Sequence, residues 1–408
     1  MKSDVVIVGS ELDAFVASIR LQEIGYSSRI ISSGKGSYLY GLGSIKVFRA
    51  KNNKIDNLHT DPFTAIENLP NLHPYKKIGE KNVEESVRWF LEYMTNKQFN
   101  YSFKKHNSYT ISPIGVKMPS YGLYYNQLDF EKIKDANISI VHFKNQRDFH
   151  SQLIAKSLKD YSQKIEIVYI DPPDKNQHLD NSSLALSFDR LSDTDAYFKK
   201  MKGKLSKDSS AVIFPAVLGV SKYSKIINRI REILSKECYE APTLPPSIPG
   251  IRLNKVLERE VLKFNSIHRG SHAVKANVQG NNCTSIVDNF GRIIEGKAFI
   301  FSNGGILMGG LSVNTDGSIV ERIFNSKINQ INPMACKKSY ESLNALQLSG
   351  ILTDEKLKPL RDGHECLSNV YFTGRNLSHW NPSSELSSEG ISIASGWYCA
   401  NNIASILN

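Results

Sequence analysis

A parallel α/β sheet is the fold class this sequence predicts, and three observations predict it. Val5 to Val8 is an apolar run that ends at Gly9. A helical apolar pattern follows (Leu12, Phe15, Val16, Ile19), stops at Gly25, and gives way to a second apolar strand, Arg29-Ile30-Ile31. Strand, tight turn, helix and strand within residues 5–31 form the unit from which parallel sheets are built. A second α/β stretch has strands over 138–143, 165–170 and 211–215 and helices over 149–161 and 223–234. The inward line of the last helix is Ile226, Ile227, Ile230, Ile233 and Leu234. Finally, strands near 298–302 and 370–373 precede a closing helix over 390–407, with Ile393, Ala394, Trp397, Ile403, Ala404 and Leu407 along one line. Residues 34–46 are a loop rich in glycine and serine, 50–82 are polar and poor in strands, and 83–93 reads as a helix.

The first turn is of the dinucleotide-binding kind, with changes. The fingerprint G-x-G-x-x-G would place glycines at 9, 11 and 14, where this chain has Gly9, Glu11 and Ala14. The first glycine keeps the tight turn, and alanine at the third still lets the helix pack close to the strand. The second normally lets backbone approach a pyrophosphate at the helix N-terminus, and a carboxylate there adds bulk and repulsion. Glu11 and Asp13 also favour a helix start by roughly 0.3–1 kcal/mol each, so they can satisfy the end a phosphate would otherwise occupy. The second strand ends Ile31-Ser32-Ser33-Gly34, with no carboxylate to bind a ribose hydroxyl.

Composition narrows the classes. The chain has 408 residues, 40% of them hydrophobic, which suffices for a normal core. No apolar run approaches the roughly 18 residues of a membrane helix, and the first apolar run leads into a turn rather than a cleavage site. Five cysteines, at 238, 283, 336, 366 and 399, include no C-x-x-C pair, which argues against a zinc site, an iron–sulfur cluster or a disulfide framework. A reducing, cytoplasmic location and no bound metal are expected. The net charge of +11 fits an anionic substrate or membrane surface, and without a nucleic-acid motif no nucleic-acid partner is expected. The basic run Lys199-Lys200-Met201-Lys202-Gly203-Lys204 reads as a solvated face or a membrane patch.

Several segments stand out in order along the chain: Asp4 to Val47, Leu72-His73-Pro74-Tyr75, Ala211 to Val220, Pro242-Thr243-Leu244-Pro245-Pro246-Ser247 with Gly250-Ile251-Arg252-Leu253, Asn303 to Leu311, Gly350 to Pro359, and Asn369 to Gly374 with the closing helix. Taken together, they resemble the family of the B subunit of anaerobic glycerol-3-phosphate dehydrogenase. The resemblance implies a Rossmann-like split FAD/NAD(P)-binding-type domain with an inserted α/β subdomain. The expected boundaries are 1–119 and 241–408 for the nucleotide-binding domain and 120–240 for the insert. It implies a flavin, FMN or FAD, and oxidation of glycerol 3-phosphate to dihydroxyacetone phosphate with electrons passed to quinone. The implied partners are an FAD-containing catalytic subunit and an iron–sulfur subunit that anchors the complex at the cytoplasmic membrane, so the chain alone is expected to be inactive.

The expected flavin contacts are Gly9, Ser10 and Leu12 at the phosphates, Ser33 and Gly34 at the second strand, Gly43 and Ser44 near the ring, and Gly304, Gly374, Arg375 and Gly390 closing the site. Where the family turn into the closing helix is glycine-rich, this chain retains Gly390 and places Glu389 beside it. Arg375 reads equally as a phosphate holder or a solvated ion-pair residue. Trp380 reads as a ring-stacking residue or a packed one. Asn303-Gly304-Gly305 reads as amides facing a ligand or a plain turn. His73 reads equally as structural, and no catalytic base is assigned. The alternative function is a scaffold of the same complex that kept the fold and lost the flavin. An unrelated FAD-dependent oxidoreductase is a third possibility.

Overall fold

Val5–Val8 is buried along its length because it lies inside a parallel sheet, where both faces are covered. The computed structural model describes residues 3–49, 61–97, 99–174, 180–330, 346–362 and 366–407. The chain divides into two units: Met1–Tyr38, Lys46–Met94 and Leu257–Asn408 form one, and Leu39–Ile45 with Thr95–Val256 form the other.

The first unit contains a five-stranded sheet in the order Val370–Phe372, Ala298–Phe301, Val5–Val8, Ser28–Ser32, Ser266–Arg269, with every pair parallel. The first helix, Leu12–Glu23, carries the chain from the central strand to Ser28–Ser32 on one side. Ala298–Phe301 pairs on the other side, so the strand order reverses at the central strand. Ligands of open parallel sheets bind outside the carboxyl ends at such a reversal. Those ends are Gly9 and Ser302 here. The closing helix, Ser388–Leu407, starts two residues before the sequence pattern placed it. It approaches the first helix closely, since a Cβ on Gly396 would lie 2.5 Å from the Asp13 carbonyl oxygen. A three-stranded antiparallel sheet, Ala273–Gln279, Asn282–Asp288 and Ile293–Glu295, also belongs to this unit. His73 is a structural residue: it caps the helix Pro74–Ile78, its Nδ1 accepting from Tyr75 N at 3.1 Å, and its Nε2 lies 3.1 Å from Glu385 Oε2.

The second unit is built on a four-stranded parallel sheet in the order Ser162–Ile170, Ala136–Phe143, Ala211–Pro215, Glu237–Ala241. The helix expected over 149–161 runs Ser151–Leu158, since the next residues form the turn that feeds the strand Ser162–Ile170. Tyr223–Leu234 forms with the expected bounds, its isoleucines packed inward. Asp189 caps the turn before it, accepting from Val220 N at 3.0 Å, Ser221 N at 3.0 Å and Lys222 N at 2.9 Å. Arg252 and Glu240 form a fully buried two-pronged ion pair at 2.6 and 2.9 Å, and Arg252 Nε donates to the Gly219 carbonyl at 2.8 Å. The basic run begins in the last turn of the helix Thr194–Lys202, where Lys199, Lys200 and Lys202 meet the negative end of the helix dipole, and Lys204 lies just beyond it. Pro242 to Ser247 lies within the second unit, between the strand Glu237–Ala241 and the helix that starts at Ile248, with Leu244 N donating to Asp148 O and Asn181 Nδ2 donating to Leu244 O. The hairpin Tyr101–Ile111 with Lys117–Tyr124 had no sequence signal, because its first strand carries lysine, histidine and asparagine in place of a clean alternation. Among the described residues, no helix is long and apolar enough to cross a membrane, and no cluster of His, Cys, Asp and Glu could hold a metal ion.

Candidate functional site

The turn after the central strand is a glycine turn for a steric reason. Gly9 has φ +112°, and a Cβ there would lie 2.0 Å from the Ser302 carbonyl oxygen. Its amide donates to Ile31 O at 2.8 Å, and Ser302 N donates to Val8 O at 2.7 Å, so three strand ends converge on it. Serines take the place of the ribose-binding carboxylate: Ser32 Oγ donates to Ser10 Oγ at 2.8 Å, and Ser10 Oγ donates to Gly34 O at 2.7 Å. This network ties the first turn to the end of the second strand.

Beyond these strand ends lies a cavity of about 560 Å³, within the range of small-molecule and cofactor sites. Its floor is Gly9, Ser10, Ser32, Ser33 and Gly34, with Ser302 and Asn303 from the next strand. His272, Glu321 and Arg322 stand on its walls. The Asn303 side-chain oxygen is buried and has no hydrogen-bond partner among the described residues.

Glu11 borders the same cavity and is almost fully buried. Its Oε1 accepts from Ser37 N at 2.8 Å and its Oε2 from Ser37 Oγ at 3.0 Å. Gly36 lets this loop close over the turn, because a Cβ there would lie 2.3 Å from Ser10 O. Burial pushes the Glu11 carboxyl up to about 6; the Ser37 hydrogen bonds oppose this, the Asp13 charge adds to it, and Arg375 counters it. Asp13 is wholly buried, and burial raises its carboxyl too, against hydrogen bonds that favour the charged form. Thr373 Oγ1 donates to Asp13 Oδ2, which pins the first helix to the end of the strand Val370–Phe372.

Gly9, Ser10, Ser33 and Gly34 therefore line one cavity together. Gly304 and Arg375 line a second one, of about 300 Å³, with Trp380, Gln347 and Ser349. A Cβ on Gly304 would lie 2.9 Å from Glu11 Oε1, so the Glu11 carboxyl reaches the residue that borders the second cavity. Leu12 points into the core and is 1% exposed. Gly374 has φ +60°, and a Cβ on it would meet the Asp13 carboxylate at 2.6 Å. Gly390 makes room for Tyr75 Oη, which a Cβ would approach to 2.2 Å. Gly43 and Ser44 lie in the second unit, where Gly43 O accepts from Tyr101 Oη at 2.8 Å. None of these last five lines either cavity. Trp380 is buried, with its indole N–H donating to Leu377 O at 2.8 Å. Sequence reasoning placed Gly36 and Ser37 only within the glycine- and serine-rich loop over 34–46, without a role at the site, and passed over His272, Glu321 and Arg322. They come from loops with no local pattern, although Ser37 is signalled by Glu11 itself, a buried carboxylate that requires donors.

A family profile described as FAD binding domain matches residues 4–391. The chain belongs to that family. Curated relatives agree along the whole length. The B subunit of anaerobic glycerol-3-phosphate dehydrogenase from Aliivibrio fischeri (strain MJ11) is 24% identical over 440 residues, covering 99% of this chain and 95% of the relative. The same subunit from Yersinia enterocolitica is 25% identical over 433 residues, covering 100% and 99%. Among solved structures, 3-ketosteroid delta1-dehydrogenase from Sterolibacterium denitrificans aligns over 99% of this chain and 100% of its own at 11% identity, with a TM-score of 0.46.

The residues present fit the flavin nucleotide of the family. The cavity lies at the reversal point of the sheet, residues from three strand ends line it, and one of them, Asn303, carries a buried side-chain oxygen without a partner among the described residues. Gly9, Ser10, Ser33, Gly34 and Asn303 would hold the nucleotide portion, and Arg322 is the arginine among the residues lining this cavity, while Arg375 lines the second one. Bound flavin supplies reversible electron transfer, while the protein binds it, orients it and sets its electrostatic surroundings. Of the acidic residues lining the cavity among the described residues, Glu321 stands on a wall and Glu11 sits at the N-terminus of the first helix, where its charge opposes an anion.

Proposed function

We propose that this chain is the flavin-carrying B subunit of a glycerol-3-phosphate dehydrogenase complex. In that role it assists oxidation of sn-glycerol 3-phosphate to dihydroxyacetone phosphate, with electrons delivered to quinone. The observation that carries this reading is similarity to the B subunits over 99% of this chain and 95% of the relative, combined with a matching FAD-binding family profile. Within such an assembly it works with companions: a catalytic FAD subunit and an iron–sulfur subunit through which the complex meets the cytoplasmic membrane. The net charge of +11 suits docking near an anionic membrane or an anionic substrate.

The test is to isolate the tagged chain from its native cells with whatever accompanies it and assay glycerol 3-phosphate-dependent reduction of a quinone analogue. Activity in the assembly and none in the chain alone supports the reading. Robust oxidation of glycerol 3-phosphate, or of another substrate, by the isolated chain contradicts it. A scaffold that kept the fold and lost the flavin is the second reading, favoured by the burial of Glu11 at the phosphate end of the turn. It requires an assembly that retains full activity when this chain carries no flavin.

A further inference from the structure

We propose that Glu11 is the specificity-determining residue of the nucleotide cavity, and that the cavity accepts an anionic flavin nucleotide with this side chain in its carboxylic-acid form, taking up one proton per nucleotide bound. The inference rests on the flavin reading of the cavity. Glu11 begins a helix of 12 residues, at the end where a phosphate is favoured. Its carboxylate takes both the amide and the hydroxyl of Ser37, in the loop whose Gly36 lines the cavity. A charged carboxylate on the cavity floor repels the phosphates. The protonated form does not, and it converts an acceptor-only group into one that donates to a phosphate oxygen. The balance is simple: the carboxylate, one proton from solvent and the nucleotide become carboxylic acid and bound nucleotide, with no bond to the flavin formed or broken.

The surroundings keep that proton within reach of ordinary pH. Asp13, further along the same helix, adds negative charge, and Arg375 offsets it from the turn Gly374–Asn376. Tyr38 follows Ser37 in the covering loop, and its phenol stays neutral. On the cavity walls Glu321 is committed to the amides of Ile323, Phe324 and Ser326, and Arg322 donates to Asn314 Oδ1. His272 lines the opposite wall. Burial already brings Glu11 to about 6, and a neighbouring diphosphate would raise it further.

The test is the dissociation constant of FAD, read by flavin fluorescence on the full chain between pH 5.5 and 8.5, for wild type and Glu11→Gln. FAD is the probe because its diphosphate does not titrate in this range, whereas a phosphate monoester has a second pKa of about 6. Wild type is expected to bind at least about tenfold more weakly at pH 8 than at pH 6, approaching tenfold per pH unit, as for any one-proton linkage. Glu11→Gln is expected to bind at pH 8 about as well as wild type does at pH 6, with a flat profile. Calorimetry of wild type in two buffers of different ionisation enthalpy should independently show close to one proton taken up at pH 7.5, whatever the variant does to folding. Tight binding by wild type with no pH dependence and no proton uptake overturns the proposal and leaves the flavin reading standing. A full slope retained in Glu11→Gln overturns it too. Failure of both proteins to bind FAD at any pH overturns the flavin reading along with it.

Discussion

Gly9→Ala tests the steric reason for the first glycine of the turn. The added methyl carbon would lie 2.0 Å from the Ser302 carbonyl oxygen, 2.3 Å from its carbon and 2.7 Å from Asn303 N. All three are backbone atoms of a neighbouring sheet strand end, so no rotamer change relieves the clash. The residue would also carry φ +112°, which an L side chain rarely adopts. Overpacking against a rigid neighbour costs about 1–3 kcal/mol, and a disfavoured backbone region about 1–3 kcal/mol. Together they predict a loss of about 2–6 kcal/mol, out of the roughly 5–15 kcal/mol that holds a typical domain. At about 2–4 °C per kcal/mol for a unit of this size, the melting temperature should fall by about 4–24 °C. Gly25→Ala is the control: its φ is +91°, but nothing lies within 4 Å of the new carbon. It should lose only the backbone part, about 1–3 kcal/mol. Differential scanning calorimetry of both variants without flavin separates the two contributions. If Gly9→Ala melts no lower than Gly25→Ala, strand convergence on Gly9 is not what demands glycine there.

Three further outcomes are expected. The Glu11 carboxyl is raised from 4.5 in the unfolded chain to about 6 in the folded one. The folded state thus binds more protons between those values and loses stability as pH rises through them, by about 2 kcal/mol in all at about 1.4 kcal/mol per unit. Glu11→Gln should therefore stabilise the flavin-free chain by about that much at pH 7 and by little below pH 4.5, in urea titrations at the two pH values. Glu240→Ala strands the buried Arg252 guanidinium and should cost about 3–5 kcal/mol, whereas replacing both by methionine should cost far less, as denaturant midpoints would show. Asp189→Ala leaves the amides of Val220, Ser221 and Lys222 without their acceptor and should cost about 0.5–2 kcal/mol, seen as faster amide exchange at the start of the helix Tyr223–Leu234.

Much of the architecture was legible because parallel strands announce themselves. Val5–Val8, Ala211–Pro215 and Ala298–Phe301 are apolar on both faces, and Leu12–Glu23 and Tyr223–Leu234 carry clear helical stripes. The antiparallel elements were silent for the opposite reason. Tyr101–Ile111 and Ala273–Gln279 are partly exposed strands whose pairing depends on partners, not on their own pattern. At the site, Gly9, Ser10, Ser33 and Gly34 were readable because a strand–turn–helix unit sets their positions by local geometry. Gly374 and Gly390 carried the same chemical signal with a different cause, since one makes room for the Asp13 carboxylate and the other for Tyr75. A sequence shows that glycine is present, and only the fold shows which neighbour requires it. The replacement of fingerprint glycine by Glu11 was visible at once, but its partner Ser37 was not, because the loop that brings Ser37 over the turn has no regular period. Both sheets follow one device: Glu11 accepts from the Ser37 amide, and Asp189 accepts from three amides at the turn before Tyr223–Leu234. A carboxylate in each case takes up donors of a loop, one amide and one hydroxyl at Glu11 and three amides at Asp189.

The central claim is that the cavity beyond Gly9 and Ser302 holds a flavin. Its most direct test is the visible absorption spectrum of the purified chain, incubated with FAD and in parallel with FMN at pH 6, then freed of excess. Flavin bands at close to one equivalent per chain, diminished when Gly34→Trp fills the cavity floor, are the expected result. A colourless protein that retains neither nucleotide, or a flavin content untouched by blocking the cavity, would contradict the account.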